Sequence, residues 1–246
     1  KVWDKNKIVV VTDHYVPAES DETRAIQALT KKWVKDQSIE NFYDEQGICH
    51  IVLPERGHLA PGIFCVGGDS HSPTGGAFGA YMFGIGATEM AGVLATGSIW
   101  IQTPETILMA WKNQLPEYVT AKDMMLAMCG KIGMGGGRYQ AIQYAGETIR
   151  SLPMQERMTL SNMAAELGAQ VGLIAPDETT IAYVEAAGGQ VPENWRDFQI
   201  EAAEETSNIM YFDAANLSPQ IAAPHSPANA DDASEFRNIG FDVAYI

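Results

Sequence analysis

The chain has 246 residues and sets 16 basic against 31 acidic side chains, a formal net charge of −15. That balance excludes a nucleic-acid role, which requires clustered Lys and Arg to neutralise phosphates. Hydrophobic residues make up 46% of the chain, but in short runs broken by Gly, Thr or charge, so no segment reads as a membrane span and the composition is that of an ordinary soluble globular protein.

Residues 7–12 read as a buried, β-branched strand ending at Asp13-His14. Residues 20–35 follow as a helix with Ser20 as N-cap, acidic residues in its first turn, and Ile26, Leu29 and Trp33 on one face. Two short strands are predicted over 49–53 and 63–67, separated by a Pro/Gly-bearing loop. The stretch 77–95, lean in side-chain bulk, predicts a helix packed close to its neighbours. Residues 99–103 and 106–111 predict a β-hairpin, 120–130 a Met-rich helix, and 133–137 a turn leading to Arg138. A helix over 156–168 stopped by Gly168, a strand over 171–174 and a helix capped by Asp177 and running through Ala187 come next. Residues 195–207 read as an amphipathic, acidic stretch, 216–238 as an irregular segment and 241–246 as a strand. Strands alternating with helices predict an α/β fold.

The three cysteines, Cys49, Cys65 and Cys129, show no C-x-x-C spacing. An odd count in an acidic chain with no visible secretory signal implies free thiols and a cytoplasmic setting. The strand-like 241–246 segment leads us to expect that the chain is a piece of a larger polypeptide.

Ionisable groups gather at Asp13-His14, at His50, at Asp69-Ser70-His71 and at the Asn162/Glu166 pair, whose spacing of four places both on one helix face. In open α/β sheets, sites form beyond the carboxyl ends of strands. Two chemistries fit these residues. His14, His50, His71 and Asp69 could ligate a single metal ion of a hydrolase. Alternatively, carboxylates orient imidazoles that pass protons near neutral pH. Spacing alone separates neither. His58 and His225 lie in loops and receive no role, and Gly67-Gly68 completes no phosphate-loop pattern.

In order, Thr12-Asp-His14, Gly47-Ile-Cys-His50, Gly68-Asp-Ser-His-Ser-Pro-Thr-Gly-Gly-Ala-Phe-Gly79, Phe83-Gly-Ile-Gly86, Val93-Leu-Ala-Thr96, Ala121-Lys-Asp123, Arg157-Met-Thr159, Asn162-Met-Ala-Ala-Glu-Leu-Gly-Ala169 and Ala223-Pro-His-Ser-Pro-Ala-Asn229 resemble the aconitase family, on its 3-isopropylmalate dehydratase large-subunit branch. The aspartate–serine–histidine stretch with its glycines is the most diagnostic. The resemblance implies a three-layer αβα fold with mainly parallel sheets. The chain would be the central part of a large subunit, with two closely packed α/β subdomains meeting somewhere between residues 100 and 150. It further implies a hydro-lyase of small hydroxy di- or tricarboxylic acids that uses a [4Fe-4S] cluster and a small swivelling partner subunit, with no nucleic-acid or membrane partner.

In family terms, His14 oriented by Asp13 resembles the proton donor to the departing hydroxyl. His50 with Glu166, and Asp69 with His71, resemble the groups around iron-bound water. Ser70 resembles a substrate-carboxylate contact and Asn162 a neighbour of the cluster sulfurs. The family's cluster-cysteine motifs do not occur here; the first would be expected directly after Ile246. The ligand role is therefore not carried over to Cys49, Cys65 or Cys129, and this chain is expected to hold no cluster itself. The family's substrate-binding arginines are missing too; only seven arginines are present, none clustered. Ser72 and Thr74 depart from the commonest family residues, leaving the substrate unnamed. A non-catalytic scaffold is the remaining reading.

Overall fold

A computed structural model describes residues 1–199 and 207–240. The expected strand 241–246 and most of the amphipathic stretch 195–207 lie outside the described residues; within that stretch, Trp195–Phe198 forms a 3-10 turn.

The first layer begins with strand β1 (Val10–Thr12), paired in parallel with β2 (Phe42–Asp44). The expected strand over 7–12 is shorter than read, since Lys5–Lys7 forms a 3-10 turn capped by Asp4. Between the two strands, helix α1 (Asp21–Gln37) starts at a reciprocal Ser20–Thr23 capping pair and ends where Ser38 turns left-handed. Only Val34 of α1 is buried, against Ile8 and Ile39; Ile26 and Leu29 of the expected apolar face lie exposed.

Residues 49–53, expected as a strand, open helix α2 (Cys49–Glu55). A short apolar run carries no period that distinguishes strand from helix. What starts this helix is tertiary: the Cys49 N–H donates to Asp13 Oδ2 at 2.7 Å, placing an anion on the first helical amide.

The single helix expected over 77–95 is three elements. A 3-10 run, Ser72–Phe78, is wholly buried; strand β4 (Tyr81–Gly84) pairs in parallel with β3 (Phe64–Gly67); and α3 (Ala87–Thr96) follows. Gly79, at φ 70°, breaks the helical path between the first two. The 3-10 run lies so close to the large sheet that a Cβ on Gly76 would sit 1.9 Å from the Gly172 carbonyl oxygen.

That sheet has the order β7-β6-β5-β8, all parallel. Its members are β5 (Thr106–Lys112), β6 (Ala141–Ala145), β7 (Val171–Ile174) and β8 (Ile209–Asp213). The hairpin expected before residue 111 does not form: residues 99–103 are not a strand, and β5 pairs instead with two strands the sequence did not disclose. Helix α4 (Ala121–Ile132) sets Met124, Met125, Met128 and Cys129 against Ile107, Met109, Ile142 and Tyr144 in the main core.

After the short α5 (Glu147–Ser151), helix α6 (Met154–Asn162) joins two cores, with Leu160 in the main one and Met154 and Met158 in a second built on Phe78, Met82 and Val184. The expected helix over 156–168 ends early: Met163–Ala165 tightens to a 3-10 turn, and Gly168 reverses at φ 70°. Helix α7 (Glu178–Ala186) is capped by Asp177 as expected. The irregular segment also contains a small antiparallel pair, β9 (Gln220–Ala222) with β10 (Ala230–Asp232). The architecture is α/β with mainly parallel sheets, and no helix among the described residues is long and apolar enough to cross a membrane.

Candidate active site

The two small parallel sheets deliver their carboxyl-end residues to one place. β1 ends at Asp13-His14, β3 ends just before Asp69-Ser70-His71, and the first turn of α2 brings His50. The turn after α6 adds Glu166.

Asp69 is the centre. Its Oδ2 lies 3.0 Å from His14 Nε2 and its Oδ1 2.8 Å from His50 Nε2, and Oδ1 also accepts the His71 backbone N–H at 2.7 Å. His14 Nδ1 lies 2.7 Å from Asp13 Oδ1. His71 Nε2 lies 3.2 Å from Glu166 Oε1, Ser70 Oγ meets His71 Nδ1 at 3.1 Å, and the His50 and His71 rings stand edge to face at 6.2 Å. The structure thus brings Asp13, His14, His50, Asp69, Ser70, His71 and Glu166 together. His50 pairs with Asp69 rather than Glu166; Asp69 and His71 meet as expected, through the amide and with the ring Nδ1 4.0 Å from Oδ1, while the His71 Nε2 faces Glu166. The cause is the turn at 69–71, which gives Asp69 the His71 amide and swings the His71 ring toward the end of α6.

This geometry separates the protonation states of two imidazoles. Both ring nitrogens of His14 face carboxylates, which accept, so this setting favours the doubly protonated ring. The hydrogen bond to Asp13 raises the His14 pKa most, Asp69 adds to it, and partial burial opposes them. His50 is pulled the other way: burial lowers its pKa, outweighing the attraction of Asp69. Burial alone would raise Asp13 and Asp69, yet both are held below the usual carboxylate range. For Asp13 the reason is the hydrogen bonds from His14 and Cys49; for Asp69 it is the His71 amide with the His50 and His14 rings. An exposed imidazole whose pKa is raised and a half-buried one whose pKa is lowered, both on a single carboxylate, are suited to moving a proton at each of two positions.

Asn162 ends α6 and Glu166 follows the 3-10 turn Met163–Ala165, and the two side chains reach the same turn, Glu166 at His71 and Asn162 at Thr74. Asn162 Nδ2 donates to Thr74 Oγ1 at 2.9 Å. Glu166 Oε2 is buried and accepts no hydrogen bond among the described residues. Ser72 and Thr74 are buried with their hydroxyls on the backbone carbonyls of Asp69 and His71, at 2.8 and 2.7 Å, so they shape the turn rather than touch a substrate. Sequence reading passed over these clamps and the Cys49 amide; a Ser or Thr three residues after each of Asp69 and His71 was the available signal. His58 sits apart, 2.7 Å from the Tyr43 hydroxyl.

A single-metal site does not assemble. His14 commits both nitrogens to carboxylates and His71 points at Glu166, and no group of three or more His, Cys, Asp or Glu among the described residues is arranged to hold a metal ion. The cysteines do not fit a thiolate set for a cluster either. They sit on α2, β3 and inside α4, and burial pushes their thiols up, Cys49 to about 12 and Cys129 to about 11.

The scaffold is α/β with mainly parallel sheets, and it gathers imidazole–carboxylate couples at one place. The aconitase family model (aconitate hydratase) matches residues 2–241, and the chain belongs to that family. It is 43% identical, over all of its length, to the 3-isopropylmalate dehydratase large subunit 1 of Methanopyrus kandleri, and 42% identical to a "probable 3-isopropylmalate dehydratase large subunit" of Methanothermobacter thermautotrophicus. A "probable methanogen homoaconitase large subunit" of Methanosarcina mazei is 40% identical. The chain spans 58% of the first two relatives and 62% of the third.

Proposed function

We propose that the protein is a hydro-lyase that removes and re-adds water on small hydroxy di- or tricarboxylic acids of the 3-isopropylmalate type. The observation carrying this reading is the Asp69 carboxylate bridging two imidazoles, His14 at 3.0 Å and His50 at 2.8 Å, with His14 pushed toward its charged form by Asp13 and Asp69 and His50 toward its neutral form by burial. Elimination of water needs a proton delivered to a departing hydroxyl and another removed from carbon. His14, steadied by Asp13, delivers the first; His50, with His71 and Glu166 beside it, takes up and returns protons of the water; the base that removes the proton from carbon would come from the small partner subunit. Ser70, exposed at the edge of this group, takes a substrate carboxylate.

Family membership supports a [4Fe-4S] cluster in a protein of the relatives' length, where it would supply a Lewis acid. The three cysteines of this chain are given no part in holding it. The words "large subunit" in the relatives' names support a small partner subunit, and the presence of only seven arginines, none clustered in sequence, supports anion-binding cations on that partner or on further sequence. The relatives' names, dehydratase and homoaconitase, leave the exact acid within this class open.

The test is to co-express a protein of the relatives' length carrying this segment with its small subunit, reconstitute it anaerobically, and follow the unsaturated acid formed from 3-isopropylmalate, citramalate and homocitrate. Turnover of at least one, abolished by His14→Ala, is expected. Absence of dehydration with every acid would defeat the reading.

A further inference from the structure

We propose that Thr74 is a positioning residue whose single hydroxyl fixes the orientation of the Asn162 side-chain amide and locks it to the His71 turn. The kinetic part of this inference rests on the hydro-lyase reading above; the geometric part does not. Thr74 lies in the buried 3-10 run, 3% exposed. Its Oγ1 is 2.7 Å from the His71 carbonyl oxygen, which also accepts the Thr74 backbone N–H at 3.0 Å. A carbonyl can only accept, so the one hydroxyl proton goes to His71. Toward Asn162, 2.9 Å away, Oγ1 can then only accept. The amide is therefore set with its nitrogen toward Thr74 and its carbonyl oxygen turned away.

The consequence reaches two elements. His71 belongs to the turn after β3, and Asn162 closes α6 four residues before Glu166, which faces the His71 ring. The chain His71 carbonyl, Thr74 hydroxyl, Asn162 amide thus crosses the same gap as the His71–Glu166 contact, on buried ground. Without the hydroxyl, either end of the amide could turn toward residue 74, and the turn would lose a clamp on the histidine.

The experiment uses the reconstituted two-subunit protein with Thr74→Val, which keeps the shape and removes the hydroxyl, and Thr74→Ser, which keeps the hydroxyl. Thr74→Val should lower kcat ~10–100-fold, as loss of an orienting partner does elsewhere, while KM stays within about threefold. Thr74→Ser should recover kcat to within about threefold of the parent. In 15N spectra of the asparagine side chains, the Asn162 amide should give one pair of signals in the parent and Thr74→Ser, and shifted or doubled signals in Thr74→Val. Equal impairment of both variants, or parent-like kinetics in Thr74→Val, would overturn the proposal. If the parent protein shows no dehydration at all, the functional reading fails separately. The spectra then decide Thr74 alone, and an unchanged Asn162 amide in Thr74→Val rejects it.

Discussion

His50 Nε2 sits 2.8 Å from Asp69 Oδ1 while the other oxygen of the same carboxylate lies 3.0 Å from His14 Nε2. One anion therefore touches two imidazoles and favours the charged form of both, but burial outweighs it at His50, so the two pKa values move in opposite directions. Asp69→Asn keeps the shape and removes the charge. We expect the His14 pKa to fall, because one of its supporting anions is gone, and activity of the reconstituted protein to drop ~10²–10⁴-fold. Histidine proton NMR of the variant checks the first part. An unmoved His14 titration would show that Asp13 alone sets its charge.

The same relationship predicts a pH–rate profile. With the roles proposed above, catalysis requires His14 protonated, so the rate should fall as pH rises through its raised pKa. It also needs His50 neutral, so the rate falls as pH drops through its lowered pKa. The plateau should bracket the ordinary histidine value of ~6.5 on both sides. In Asp69→Asn the alkaline limb should move to lower pH. For stability, the raised His14 contributes fully below its unfolded value and loses that contribution as pH rises through its folded value. A kcat/KM profile with a single limb would contradict the two-imidazole division.

The residues that converge were legible because they follow strand ends or a turn and sit in diagnostic motifs. Their pairing was not. Whether His50 meets Asp69 or Glu166 depends on α2 being a helix, and that depends on the Asp13 carboxylate accepting the Cys49 amide, a contact between residues 36 apart in sequence. Likewise 77–95 has the small residues of a close-packed helix, but Tyr81–Gly84 is drawn into a strand by pairing with Phe64–Gly67. Strands β6 and β8 went unread because Ala141–Ala145 is buried on both faces and shows no alternation, and Ile209–Asp213 is an edge whose partner β5 lies a hundred residues away. Helices α4 and α7 were readable because their caps and periods are local.

Gly76 tests the join between the site-bearing turn and the large sheet. A Cβ there would lie 1.9 Å from the Gly172 carbonyl oxygen, backbone that cannot swing aside. Gly76→Ala should destabilise the fold by at least ~2 kcal/mol, read as a lowered denaturation midpoint. Gly92→Ala, where nothing lies within 4 Å, serves as control, and should be neutral or slightly stabilising within α3. Equal midpoints for the two variants would mean that the 3-10 run is not held against β7.

Arg157 is fully buried and donates from both terminal nitrogens to Asp177, each at 2.7 Å, with further bonds to the Leu152 and Arg150 carbonyls. Removing only the carboxylate leaves a buried guanidinium without its anion, so Asp177→Ala should cost ~3–5 kcal/mol. Burial alone would raise Asp177, but Arg157 and the Thr180 amide hold it below the usual carboxylate range. Its contribution is thus present above the unfolded value of ~3.9 and lost as pH falls through the lower folded value. Urea midpoints from pH 7 downward should converge for parent and variant only in strong acid. Convergence already at pH 5 would contradict the pairing.

Cys49 lies against the reactive cluster yet should be chemically quiet. Its thiol is raised to about 12, first by burial and then by donating toward the Asp13 carboxylate and facing the negative charges of Asp13 and Asp69. Only the thiolate is nucleophilic, so at pH 8 the folded protein should alkylate at Cys49 ~1,000-fold more slowly than an ordinary free thiol. Asp13→Asn should accelerate that reaction, because part of the electrostatic opposition to the thiolate goes with the charge. Peptide mass analysis after timed iodoacetamide treatment, with urea-unfolded protein as the fast reference, measures both rates. Rapid labelling of Cys49 in the folded parent would mean that its sulfur is a thiolate facing solvent rather than a proton donor holding Asp13, and the placement of the Asp13–His14 couple would then need another explanation.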